Sequence, residues 1–205
     1  MNIKKVSFFL FAFLAIAIGL YPLSYLVFGN NLNSKSQELL ASVFWNVNFY
    51  THISLGGIAL LVGWSQFSEK FRKKNIRLHR VIGKVYVGSV LLSAIAGIYI
   101  GYFATGGIIS QVGFISLGII WFYTTLNAFF EIKKGRVEQH EKMMIYSYAA
   151  CFAAVTLRLM LPLLIVIFND FIPAYQLVAW LSWIPNLMVA HLIILKKSRL
   201  KSSTL

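Results

Sequence analysis

The 205-residue chain is 59% hydrophobic and only 12% charged, about half the charged share of an ordinary soluble domain, which excludes a water-soluble globule. Its net charge of +13 lies at the ends of apolar runs and not in a patch, so nucleic acid is excluded as a partner and the lipid bilayer takes its place. The single cysteine, Cys151, excludes a disulfide framework and reads as a small packing residue.

Apolar runs at roughly 6–28, 44–67, 81–104, 108–130, 143–168 and 172–195 predict an all-α polytopic transmembrane bundle of about six helices, forming one integral membrane domain over 1–205. The first run follows Lys4-Lys5 and contains Ala15-Ile16-Ala17, the pattern of a secretory signal. It continues through Leu20, Leu23, Leu26 and Phe28, longer than a signal core, and this predicts a retained helix. A polar segment with Asn30, Asn31, Asn33, Ser34 and Ser36 follows.

In the second predicted helix His52, Gly56, Ala59, Gly63 and Gln66 are spaced four, three, four and three residues apart, on one face. Leu60 falls off that face, toward lipid or a looser contact. The basic loop FSEKFRKKNIRLHR leads into the third helix, where His79, Gly83, Tyr86, Ser93 and Gly97 share a side. After the Gly106-Gly107 turn, the fourth helix carries Asn127 and Glu131 one turn apart near its end. The loop EIKKGRVEQHEK opens the fifth helix, with a stripe of His140, Met144, Ser147, Cys151, Ala154 and Arg158. A turn at Asn169-Asp170 before Pro173 leads to the sixth helix, which contains His191. Small residues let helix backbones approach and polar side chains need partners across the interface, so helices 2, 3 and 5 are expected to share a polar seam.

Imidazoles ligate metals and haem and titrate near neutral pH, so His52, His79, His140 and His191 are candidate functional groups, with interhelical hydrogen bonding as the alternative. His52 belongs a turn or two inside one boundary; His79, His140 and His191 lie near the other. Arg158, in AAVTLRLMLPLL, either snorkels to the headgroups or faces an anion, a carbonyl cluster or a carboxylate such as Asp170. Trp45, Tyr50, Trp64, Trp121, Trp180 and Trp183 are assigned mostly to span ends. Phosphate-binding glycine loops, HExxH and nucleophile elbows are absent.

The segments THISLGGIALLVGWSQF, RLHRVIGKVYV and EQHEKMMIYSYAACFAAVTLRLMLP resemble the bacterial membrane family called domain of unknown function 2306, over roughly residues 48–195. Its residues here are His52, Gln66, His79-Arg80, Gly83, His140 and Arg158, and the resemblance implies a multi-helix protein of the bacterial inner membrane. The chain is more distantly similar to transmembrane di-haem cytochromes b. That likeness implies His79 and His140 as axial ligands of one haem b; the fourth predicted helix has no histidine, so His52 lacks the partner expected for a second haem. Three functions stay open. The first is a redox module binding b-type haem or quinone, with His79 and His140 as ligands and Arg158 facing an anionic group. The second is a small-solute transporter or channel lined by His52, Gln66 and Arg158. The third is a noncatalytic assembly protein. A homo-oligomer or a membrane redox partner would suit these readings, with Arg80 and His191 as further polar positions of the seam.

Orientation follows from the basic residues, which are retained in the cytoplasm during insertion. In a six-helix arrangement 17 of the 19 Lys and Arg fall on one side, leaving Lys35 and Arg158, so both termini are predicted to be cytoplasmic. Cysteines placed at Ser34 and Gly107 are expected to react with an impermeant thiol reagent added to intact cells, and one at Gly135 is not. External labelling of Gly135→Cys would reverse the topology.

Overall fold

The computed structural model describes the backbone of residues 3–28 and 35–202 and the side chains of 8–25 and 35–200; Asn30, Asn31, Asn33 and Ser34 of the polar segment lie outside the described residues. Among these, six helical stretches are long and apolar enough to cross a membrane: Phe8–Tyr25, Val43–Phe67, Ile76–Gly101, Ile108–Lys133, Val137–Phe168 and Phe171–Leu200. Helices α1 (Ile3–Leu20) and α2 (Pro22–Phe28) make the first span, and the short α3 (Gln37–Ala41) precedes α4 (Val43–Gly63). A 3₁₀ turn at Trp64–Phe67 and α5 (Glu69–Lys74) lead to α6 (Ile76–Gly101), then α7 (Ile108–Lys133). The fifth span is α8 (Val137–Cys151) with α9 (Ala153–Phe168), and the sixth is α10 (Phe171–Leu181) with α11 (Ile184–Ser202).

Capping chemistry sets the boundaries. Ser42 Oγ accepts the Trp45 N–H at 3.3 Å, Ser68 Oγ that of Phe71 at 3.2 Å, and Asn75 Oδ1 that of Leu78 at 3.0 Å, satisfying donors that a helix start leaves unpaired. Asn75 therefore starts α6 at Ile76, five residues before the apolar run begins at Val81. The polar stretch Arg77 to Arg80 is helical, and His79 sits in its first turn. Gly107 and Gly135 turn the chain at φ +69° and +74° before α7 and α8, a region that costs glycine little. Lys35 Nζ donates to the Phe103 carbonyl and ties the segment before α3 to the α6–α7 connection.

Helices α4, α6, α7 and α8 form a ring in which α4 packs on α6, α6 on α7 and α7 on α8. Helices α6 and α8 are diagonal, joined by side chains. The first span covers the outside of α4, and α10 and α11 lie against α7, α8 and α9. The last two spans are both interrupted, at Phe152 and at Ser182-Trp183. The Asn186 amide bridges both breaks: its two N–H groups donate to the Ala149 carbonyl at 3.3 Å and the Ser182 carbonyl at 3.0 Å, and its Oδ1 accepts from Thr156 Oγ1 at 3.2 Å. Beyond the breaks, Leu164, Ala174 and Val178 make a small core of their own between α9 and α10.

Leu60 departs from expectation. It is 2% exposed within the main core, with Phe11, Leu14 and Ile18 of α1 packed against that core. Helix α4 is enclosed on two faces, not one. Its second close contact is Gly57 against Gly19 of α1, where a Cβ on Gly57 would lie 2.7 Å from the Gly19 carbonyl oxygen. Trp45 and Trp121 are buried, at 2% and 6% exposure, and Trp121 belongs to the bundle interior.

Gly63 is the tightest point of the ring, because a Cβ there would come within 2.6 Å of Tyr148 Cδ2 and 2.9 Å of Tyr86 Cε2, both on buried rings. A Cβ on Gly56 would meet Ser93 Oγ at 3.2 Å, and one on Gly88 meets nothing within 4 Å. Gly63→Ala is expected to lower stability by about 1–3 kcal/mol through overpacking. Gly56→Ala should cost less, and Gly88→Ala should be neutral or stabilising. Thermal unfolding in detergent checks the order, and Gly63→Ala as stable as Gly88→Ala would refute it.

Candidate functional site

The ring is held, nearer its basic end, by hydroxyl groups from three helices. Tyr86 Oη lies 2.8 Å from Ser147 Oγ, Ser147 Oγ lies 2.6 Å from Thr125 Oγ1, and Thr125 Oγ1 donates to the Trp121 carbonyl at 2.7 Å. Each hydroxyl has one proton to give. With that of Thr125 committed to a carbonyl, Ser147 donates to Thr125 and Tyr86 donates to Ser147. All three residues are fully buried. Tyr148 Oη donates to the Leu60 carbonyl at 3.1 Å and binds α8 to α4.

About two turns from this centre, at the end carrying most of the Lys and Arg, lie His79 on α6 and His140 on α8. They stand on diagonal helices, close enough for their charges to act on one another. His140 Nδ1 donates to the Ala128 carbonyl of α7 at 2.8 Å; a carbonyl only accepts, so neutral His140 keeps its lone pair on Nε2. His79 Nδ1 is buried without a partner. Gln66, 8% exposed, donates through Nε2 to Ser65 Oγ at 3.2 Å, and its Oε1 is also buried without a partner. That oxygen lies 3.7 Å from where a Cβ on Gly83 would stand, one turn past His79. Arg72 and Arg80 exert their charge on His79, and Arg80 itself is exposed. Glu131 is buried at the same end, 3.4 Å from Arg136 and 3.6 Å from Lys134. His191 is exposed and hydrogen-bonds Tyr146 at 2.7 Å, away from the other two histidines.

The opposite end is organised by His52 and Arg158. His52 Nδ1 donates to the Ser93 carbonyl at 2.9 Å, while Ser93 Oγ donates to the His52 carbonyl at 2.9 Å. The imidazole lies against Gly97, where a Cβ would stand 2.7 Å from His52 Nδ1. Arg158 lies over the Tyr21 ring at 4.5 Å, donates to the Ala154 carbonyl at 3.0 Å, and exerts its charge on His52. Eighteen residues separate His140 from Arg158 along one span, about 27 Å of helix. The two therefore belong to different sites and cannot share a ligand. Asp170 is exposed and caps α10 by accepting the Ile172 N–H at 2.9 Å; no ion pair joins it to Arg158 among the described residues.

The contribution of α7 went unread in the sequence. Gly118, Trp121, Thr125 and Ala128 are buried at spacings of three, four and three, the same rule that marks the seam on its neighbours. Tyr21 beneath Arg158 had no local signal, because the contact joins the first span to the fifth. Among the described residues no group of three or more His, Cys, Asp or Glu gathers to hold a metal ion.

Fold and site together define a multi-pass membrane protein with a hydroxyl-bonded centre and a polar cluster at each end. The chain belongs to the family described as "Predicted membrane protein (DUF2306)", whose match covers residues 49–194. No curated protein and no solved structure matches it.

Interhelical hydrogen bonds in membranes couple by about 0.6 kcal/mol on average and up to about 1.7. The Tyr86–Ser147 pair is fully buried and continues to Thr125, so a double-mutant cycle of Tyr86→Phe and Ser147→Ala is expected to give a coupling of about 1–1.7 kcal/mol. Additive effects would remove the cluster from its place at the centre of the packing.

Proposed function

We propose that this chain is a redox module of the bacterial inner membrane that binds one b-type haem at its basic end through His79 and His140. The observation that carries the reading is the pairing of imidazoles on diagonal helices at one end of a four-helix ring, one of them pinned through Nδ1 to a carbonyl. Bundles build cofactor sites from side chains on facing helices, and an imidazole whose Nδ1–H is held by an acceptor presents Nε2 in a fixed direction to a metal.

The residues fit haem better than a bare ion. Two imidazoles alone are too few donors for a closed metal site, whereas a porphyrin brings four nitrogens and needs only axial ligands. Gly83 carries no side chain one turn beyond His79, and a Cβ there would meet only the Gln66 oxygen within 4 Å. Arg72 and Arg80 put positive charge beside His79, which suits carboxylate substituents. When bound, the haem supplies one-electron transfer. The chain's part is to hold two imidazoles in register and to exclude water behind them with the Tyr86, Thr125 and Ser147 cluster. That packed centre, with Tyr86, Val90, Ser93 and Ser147 at 0% exposure, supports a redox module over a continuous solute path through His52, Gln66 and Arg158.

Protein produced with ample haem and purified in mild detergent is expected to show a Soret band that sharpens and shifts on reduction. His79→Ala and His140→Ala should each retain at least about tenfold less haem, while His191→Ala keeps the wild-type amount. A colourless wild-type protein would overturn the haem reading; a quinone at the same histidines would then appear as bound quinone in a solvent extract.

A further inference from the structure

We infer that Arg158 is the anchor of a phospholipid site at the end of the bundle opposite the basic loops, gripping the lipid phosphate with its guanidinium. The inference is independent of haem and of the histidines that would hold it.

The chain has six acidic residues, and four of them are occupied at the basic end: Glu69 with Lys73, Glu131 with Lys134 and Arg136, Glu138 with Lys142, and Glu141 with Lys197. Asp170 caps α10, and Glu38 is exposed in the first turn of α3. The segment 29–34 contains no acid at all. Arg158, only partly exposed and permanently charged, thus has one carbonyl and one aromatic face but no carboxylate among the described residues. A cation held in a span without a counter-charge is costly. The compensating anion must come from outside the chain.

Depth and exposure favour a lipid as its source. Counting 1.5 Å per residue from Lys142 places Arg158 about 24 Å along the span, roughly 6 Å short of a 30 Å hydrocarbon layer. A guanidinium stem covers that distance to the phosphate plane. Tyr21, whose ring lies beneath the guanidinium, is 43% exposed at the turn between α1 and α2 on the outside of the bundle, so the site opens sideways into the bilayer. The guanidinium fork matches two phosphate oxygens. His52, fixed by Ser93, lies within reach of the Arg158 charge.

The test is the unfolding temperature of delipidated full-length protein in uncharged detergent, titrated with phosphatidylglycerol, with diacylglycerol of the same chains, or with inorganic phosphate. A ligand that binds only the folded state raises that temperature. Phosphatidylglycerol is expected to stabilise the wild type, and the other two are not. Arg158→Gln should weaken the apparent affinity for phosphatidylglycerol about tenfold or more. If Arg158→Gln does not fold, Arg158→Lys replaces it and should respond more weakly than wild type, because lysine keeps the charge but loses the fork. A variant that responds like wild type, or a wild type indifferent to phosphatidylglycerol, overturns the site. Equal stabilisation by inorganic phosphate overturns the lipid as its occupant.

Discussion

Inside a bilayer, apolar side chains gain little by leaving lipid for one another, so close packing and hydrogen bonds decide which helices meet and how far apart they stand. Here that decision is made by Tyr86, Ser147 and Thr125. Because α6 and α8 are diagonal, the tyrosine is long enough to cross the ring, and the serine and threonine are short enough to let α7 close on α8. Gly63 completes the arrangement by admitting the Tyr148 ring between α4 and α8. The spacing of the ring is therefore a consequence of side-chain lengths, and both polar ends inherit it. His79 and His140 each lie seven residues from their member of the cluster, so the two imidazoles stand level with each other.

The two ends differ in electrostatic character. At the basic end, cations outnumber acids but the acids are all paired, and the buried Glu131 sits between Lys134 and Arg136. Charge there is plentiful and locally balanced. At the other end one guanidinium stands with the Tyr21 ring and an imidazole. The first arrangement suits a group that is held by neutral donors and surrounded by positive charge; the second suits a group that carries a negative charge of its own.

Most of this architecture is legible in the sequence wherever a local rule governs it. Helical spacing of small and polar residues puts His52 with Gly63, His79 with Tyr86 and Ser147 with His140 on single faces, and these faces do meet. The same rule marks α7, but Trp121 is read with the span-end aromatics and Thr125 is not singled out, so that face goes unnoticed. Leu60 is misassigned because periodicity gives an angle around a helix and not the number of neighbours; α1 occupies the side of α4 that a one-faced helix would give to lipid. Hydropathy starts α6 late because it measures which residues lie in hydrocarbon, whereas Asn75 decides where the helix begins. The Tyr21–Arg158 contact depends on how the first span lies against the fifth, which no local pattern encodes.

The two interrupted spans share a further property through Asn186. A helix broken within a membrane exposes carbonyls that only a neighbour can satisfy, and here one amide serves the fifth span's break and the sixth span's break at once. The interruptions are thus a matched set, and straightening either helix alone would strand the side chain that mends the other. Beyond that seam, α9 and α10 carry their own small core, and the hairpin they form is moored along its length, by Gln176 and Trp180 to the Gly106 and Ile109 carbonyls on one side and by Arg158 to Tyr21 on the other.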